Sequence, residues 1–141
     1  MFELHPRLHE DCTFVGRLRL CELLLMEDAS YPWFLLVPRL EGAREVFELA
    51  WEDQVELLRE SSGLSRALTA AFAPDKLNIA SLGNLVPQLH LHHVVRYRGD
   101  PAWPGPVWGR SPLRPYASDI RRSVLMRLAS AWPAELELTS W

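Results

Sequence analysis

The sequence predicts an α+β fold: a mostly antiparallel sheet of about five strands, one long helix and a C-terminal helix. Three patterns carry that expectation. Short apolar runs, each closed by turn residues, fill the first 40 positions. A single long amphipathic stretch follows and stops at Pro74. Two strand-like runs then flank Gly83-Asn84, as a hairpin would. Strands, helix, hairpin, helix is the order of an α+β protein. At 141 residues the chain is expected to form one domain, 1–141, large enough to fold on its own core.

Each element has its own warrant. "HPRLHEDC" (5–12) reads as a short helix or turn. "TFVGRLRLCELLLM" (13–26) reads as two strands, with Gly16 as a turn or bulge between them. "EDASYP" (27–32) is turn chemistry, and "WFLLVP" (33–38) is an apolar strand ended by proline. The main helix is placed at 51–72, with Leu49, Val55, Leu58, Leu64, Leu68 and Ala71 sharing a broad apolar side. "KLNIASLG" (76–83) and "QLHLHHVVRY" (88–97) form the hairpin. Residues 98–115 hold five prolines, three glycines and two tryptophans, too many breakers for a regular element. Trp103 and Trp108 there are expected to close the core over the sheet; the other reading is a platform for a base or a subunit contact. The second helix spans 116–132, with Ser118 or Asp119 at its start and Ile120, Val124, Met126 and Leu128 on its apolar side.

Charge narrows the partners. A net charge of −3 argues against sequence-independent binding to nucleic acid. The acidic N-terminal stretch does not resemble a signal peptide, and no window is long enough to cross a bilayer. Cys12 and Cys21 form no CxxC pair and read as reduced thiols, so a cytoplasmic protein is expected. Arg96, Arg98 and the pair Arg121-Arg122 read as surface charges.

Chemistry concentrates in "VPQLHLHH" (86–93), which holds three of the five histidines. On a strand, Gln88, His90 and His92 share one face, and His93 joins Leu89 and Leu91 on the other. The residues alone leave three readings open. The first is a hydrogen-bonded polar face. The second is zinc, for which His-x-His supplies two ligands and His5/His9, four apart, a further half-site; structural zinc needs about four ligands. The third is covalent catalysis by neutral imidazole, in which a neighbouring ring or backbone carbonyl fixes the tautomer. Gly83, Asn84 and the backbone amides of the preceding turn could then hold phosphate oxygens.

"GNLVPQLHLHHV" resembles the signature of the histidine-triad (HIT) nucleotide hydrolases and transferases, in which three histidines alternate with apolar residues. "LLLMEDASYPWFLLVPR" (23–39) is similar to the family's upstream strand, acidic turn and "hhVP[KR]" strand. The resemblance covers about 13–97, with 98–141 as a variable C-terminal loop and helix. The triad registers on Gln88, His90 and His92, so glutamine replaces the first histidine. Trp33 stands where many members carry a further histidine, and Leu85 where some carry a serine. The resemblance implies a homodimer and a nucleotide substrate: a phosphoramidate, a dinucleoside polyphosphate or a relative. It implies His90 as nucleophile at the α-phosphate, with His92 and Gln88 beside it. It also implies Gly83, Asn84 and Asn78 at the phosphates, and Asp28 or Glu27 at the ribose hydroxyls. No cofactor or resident metal is required; a divalent ion such as magnesium can accompany a polyphosphate. The competing expectation is a nucleotide-binding, regulatory relative that has lost efficient turnover.

Overall fold

The computed structural model describes residues 1–140. Helix α1 (Pro6–Asp11) leads into strands β1 (Cys12–Arg17), β2 (Cys21–Met26) and β3 (Trp33–Pro38). Helix α2 (Trp51–Phe72) follows, then β4 (Lys76–Ala80), β5 (Leu91–Arg96), α3 (Ser118–Ser130) and a two-residue β6 (Thr139–Ser140). The strands lie in the order β4-β5-β3-β2-β1-β6. Every neighbouring pair is antiparallel. The expected five-stranded α+β sheet is therefore present, with β6 as a short addition at one edge.

Strands β2 and β3 are buried at all six positions, which is why they read as continuous apolar runs. Alternation still sorts their side chains. Leu23, Leu25, Phe34, Leu36 and Val95 face a core shared with α2 and α3. Leu24, Met26, Trp33, Leu35 and Val94 face a second core closed by α1 and the 98–115 loop, through Leu8, Ala102 and Val107. Gly16 sits at a β-bulge, where the β1–β2 register shifts between Phe14 and Gly16. A Cβ there would lie 2.9 Å from Leu138 Cδ1 and from the Thr139 carbonyl, so the glycine lets the C-terminal strand close on β1.

The main helix has the expected bounds but not the expected apolar side. Leu64 and Leu68 are buried, whereas Val55 and Leu58 are 50% and 67% exposed. The buried side includes Leu57, Glu60, Ser61, Gly63 and Ala67. Two polar residues occupy it because both are partnered. Glu60 accepts from the amides of Leu20 (2.8 Å) and Cys21 (3.0 Å), and Ser61 meets His93. In α3, Leu128 is buried and Val124 and Leu125 pack on the core, while Ile120 and Met126 are exposed. Its N-cap is Ala117; Ser118 and Asp119 already lie within the helix.

Two arginines expected at the surface are structural. Arg96 is 1% exposed, paired with Asp100 at 2.8 Å and bonded to Asn78 Oδ1 and the Gly105 carbonyl. A charge this deep is tolerated because its donors find fixed acceptors. It ties the 98–115 loop to the sheet, with Trp103 and Tyr31 against its guanidinium. Arg121 makes two bonds to Glu27, at 2.7 and 2.8 Å, and anchors α3 to the end of β2. No helix among the described residues is long and apolar enough to cross a membrane.

Candidate active site

A cleft of about 410 Å³ opens on the second face of the sheet. The sheet contributes His92, Trp33 and Met26, and the β2–β3 turn adds Asp28. His90 enters from the segment just before β5. Residues 82–86, including Gly83 and Asn84, form one wall. Helix α1 supplies Arg7, Leu8 and Asp11; the 98–115 loop supplies Val107, Trp108 and Ser111.

The strand bearing the histidines is shorter than its pattern suggests. β5 begins at Leu91, and β4 ends at Ala80. The ten residues between them form a loop, with Gly83 in the left-handed region at φ 75°. Alternation nevertheless separates the histidines as expected: His90 and His92 line the cleft, and His93 faces the α2 core. His93 Nδ1 lies 3.1 Å from the Leu91 carbonyl and Nε2 lies 2.7 Å from Ser61 Oγ.

The partners decide where each ring carries its proton. A carbonyl oxygen only accepts, so His90 Nδ1–H donates to the Gln88 carbonyl (2.7 Å) and Nε2 keeps a free lone pair. Indole only donates, so Trp33 Nε1–H (3.0 Å) makes His92 Nδ1 an acceptor and puts the ring proton on Nε2. The two rings meet edge to face, 4.8 Å apart. Burial lowers both. It pushes His92 down to about 3, with the His90 and His93 rings adding to the fall. For His90, burial outweighs the Gln88 carbonyl, and His5 adds to the lowering. Both imidazoles are therefore neutral near pH 7. One offers a nucleophilic nitrogen and the other an N–H donor.

Asp28 is 3% exposed, and its Oδ1 accepts from the amides of Ser30 (3.0 Å) and Arg114 (3.4 Å). Those bonds hold the carboxylate at the cleft. Trp108 stands edge-on to His92, 5.1 Å away, and its indole N–H is buried without a partner. Nothing local marks Arg7, Asp11 or Ser111 as cleft residues. They arrive through tertiary packing of the N-terminal helix and the proline-rich loop.

Three expected site residues are corrected. Gln88 Oε1 accepts from His5 N and its Nε2 donates to the Glu3 carbonyl, both at 2.8 Å. It thus fastens the N-terminal segment and reaches His90 only through its backbone. The cause is the late start of β5, which frees residue 88 from strand alternation. Glu27 is consumed by Arg121 and by Thr13 Oγ1 (2.7 Å), and does not line the cleft. Asn78 lies opposite Val94, two positions along from Ala80, the partner of His92. That offset carries it about 7 Å from the His92 level, where Arg96 takes its carbonyl oxygen. His5 Nδ1 is also committed, capping α1 at Arg7 N (3.0 Å). Among the described residues no group of three or more His, Cys, Asp or Glu is placed to hold a metal ion.

Residues 7–99 match the model of the HIT domain family. Solved structures of three histidine triad proteins are similar over nearly the whole chain. The one from Marinobacter aquaeolei VT8 is 54% identical, with a TM-score of 0.90, covering 93% of this chain and 96% of that one. The Bradyrhizobium japonicum protein is 45% identical at a TM-score of 0.90, covering 92% and 97%. The Sinorhizobium meliloti protein is 40% identical at 0.91, covering 93% and 97%. No curated protein matches the chain at a significant level.

Proposed function

Since the chain belongs to the HIT domain family, we propose that it is a nucleotidyl hydrolase or transferase working through a covalent intermediate on His90. The observation that carries this reading is the His90 Nδ1–Gln88 carbonyl bond, which leaves Nε2 unprotonated on a buried ring at the cleft. An imidazole so held can attack a phosphorus without first losing a proton. Nε2 forms a bond to the α-phosphorus, the bond to the leaving group breaks, and Nδ1–H stays on the carbonyl as positive charge develops. Water or another acceptor then displaces His90 and releases the nucleoside monophosphate. His92 Nε2–H donates to a phosphate oxygen in both steps. Gly83 and Asn84 border the phosphates, and Asp28 accepts from the ribose hydroxyls. No resident metal takes part in these roles; magnesium accompanies a polyphosphate substrate.

The competing reading is a nucleotide-binding protein with weak turnover, favoured by the diversion of the Gln88 side chain to the N-terminal segment. Release of AMP from diadenosine polyphosphates and from adenosine phosphoramidate separates the two. We expect turnover that falls at least about 100-fold in His90→Ala. Nucleotide binding with no AMP release above that variant would leave only the binding reading.

We also propose a homodimer. Trp51, Val55 and Leu58 recur on one exposed side of α2, at 73%, 50% and 67% exposure. Leu58 and Ile79 of the edge strand β4 border a common groove. A second copy supplies the same apolar side and the same open strand edge, which is the self-complementarity a two-fold interface requires.

A further inference from the structure

The Trp33–His92 pair constrains which bonds the site can break. His92 Nδ1 receives the indole proton, and both side chains are buried, each 4% exposed. Trp108 packs edge-on against both rings, 5.1 Å from His92 and 5.9 Å from Trp33. A second proton on His92 would set an Nδ1–H against the indole N–H, two donors with no acceptor between them. His92 is thereby confined to its neutral Nε2–H form. That form donates a hydrogen bond but cannot give its proton away without becoming an imidazolate.

The carboxylates, the arginine and the other imidazole of the cleft are committed in ways that do not replace it, and the Ser111 hydroxyl and the unpartnered Trp108 indole N–H are too weakly acidic to do so. The ring N–H of His90 is spent on the Gln88 carbonyl, and its Nε2 is the attacking atom. Asp11 accepts from Arg7 Nε (3.1 Å), and Asp28 from two backbone amides. Among the described cleft residues, none is a general acid suited to a strongly basic leaving group.

Resting on the nucleotidyl-transfer reading above, we propose that Trp33 is a positioning residue that locks His92 as a neutral donor. The lock commits the site to nucleoside phosphoric anhydrides in preference to phosphoramidates. In an anhydride the α-phosphorus–oxygen bond breaks, its electron pair leaves with the departing phosphate, and that phosphate departs as an anion without needing a proton. His90 Nε2 supplies the pair for the new N–P bond. In the second step water supplies the oxygen, its proton passes to solvent, and His90 returns neutral. A phosphoramidate must instead expel an amine, which has to be protonated as it leaves.

The test compares kcat/KM for diadenosine tetraphosphate and adenosine 5′-phosphoramidate between pH 5 and 8, in wild type, Trp33→His and Trp33→Phe. Nitrogen-15 NMR of His92 is followed in parallel. Wild type should prefer the anhydride by about 100-fold or more, the usual worth of a general acid. His92 should remain the Nε2–H tautomer across the range. Trp33→His, which can both accept and donate, should narrow the preference at least about tenfold and add an acidic limb to the phosphoramidate profile. Trp33→Phe should give mixed His92 tautomers. Comparable use of both substrates by wild type, or titration of wild-type His92 between pH 5 and 8, would overturn the proposal and leave nucleotidyl transfer standing. Turnover of neither substrate would instead remove the functional reading, while the NMR signature still decides the lock.

Discussion

Three imidazoles within four residues hold distinct hydrogen-bonding states because each has a partner that works in only one direction. A carbonyl fixes His90, an indole fixes His92, and a carbonyl with a hydroxyl fixes His93. The split of His93 from the other two was legible from alternation alone. The fate of Gln88 was not, because its partners lie 83 and 85 residues away in the N-terminal segment. The same burial that keeps the rings neutral makes folding sensitive to acid. His92 falls to about 3 and His93 to about 4, both chiefly through burial, from an ordinary 6.5. The unfolded chain thus binds protons that the folded chain refuses. Their contribution is full above pH 6.5 and is lost as pH falls toward 4 for His93 and toward 3 for His92. Glu60 acts in the opposite sense, since burial raises its carboxyl to about 7. Because Glu60 is the same in both proteins, its effect cancels when a variant is compared with the parent. Replacing one pair together, His93→Leu with Ser61→Ala, should flatten the stability–pH curve by up to about 1.4 kcal/mol per pH unit between pH 4.5 and 6. Urea unfolding at several pH values measures it, and an unchanged slope would show that His93 is not held neutral.

At the scale of elements, the long helix shows how polar residues hide a core face. Its bounds follow from an apolar period that stops at Phe72 and Pro74. Its orientation does not, because Glu60 and Ser61 occupy core positions while Val55 and Leu58 point away from the core. In a single chain such partnered polar groups are indistinguishable from surface ones; only the amides of the β1–β2 turn and the ring of His93 reveal them. β6 was equally illegible, since two residues carry no period. The outward apolar residues become intelligible if a second copy covers them. Leu58→Glu with Trp51→Glu should convert a dimer to a monomer in sedimentation while leaving the far-ultraviolet circular dichroism unchanged. A wild-type protein that sediments as a monomer at micromolar concentration would contradict that arrangement.

At the scale of the molecule, the sheet divides labour. One face carries the helix-packed core; the other carries the cleft, closed by the N-terminal helix and a proline-rich loop. The first half of that division follows from strand patterns and was readable in advance. The second depends on long-range ties without sequence period: Arg96 to the 98–115 loop, and Gln88 to residues 3–5. That is why His90, His92, Asp28, Gly83 and Asn84, which line the cleft, could be named through the family resemblance and Trp108 only as an alternative reading of its loop, while Arg7 and Asp11 of α1 could not be placed. The division gives His90 a rigid sheet on one side and a lined cleft on the other, as the proposed covalent intermediate requires. The most direct measurement is to quench the protein in alkali within milliseconds of mixing with a dinucleoside polyphosphate and map the adduct by mass spectrometry. A nucleotidyl group is expected on the peptide containing His90 and absent in His90→Ala. Steady turnover with no adduct, or an adduct on another residue, would contradict it.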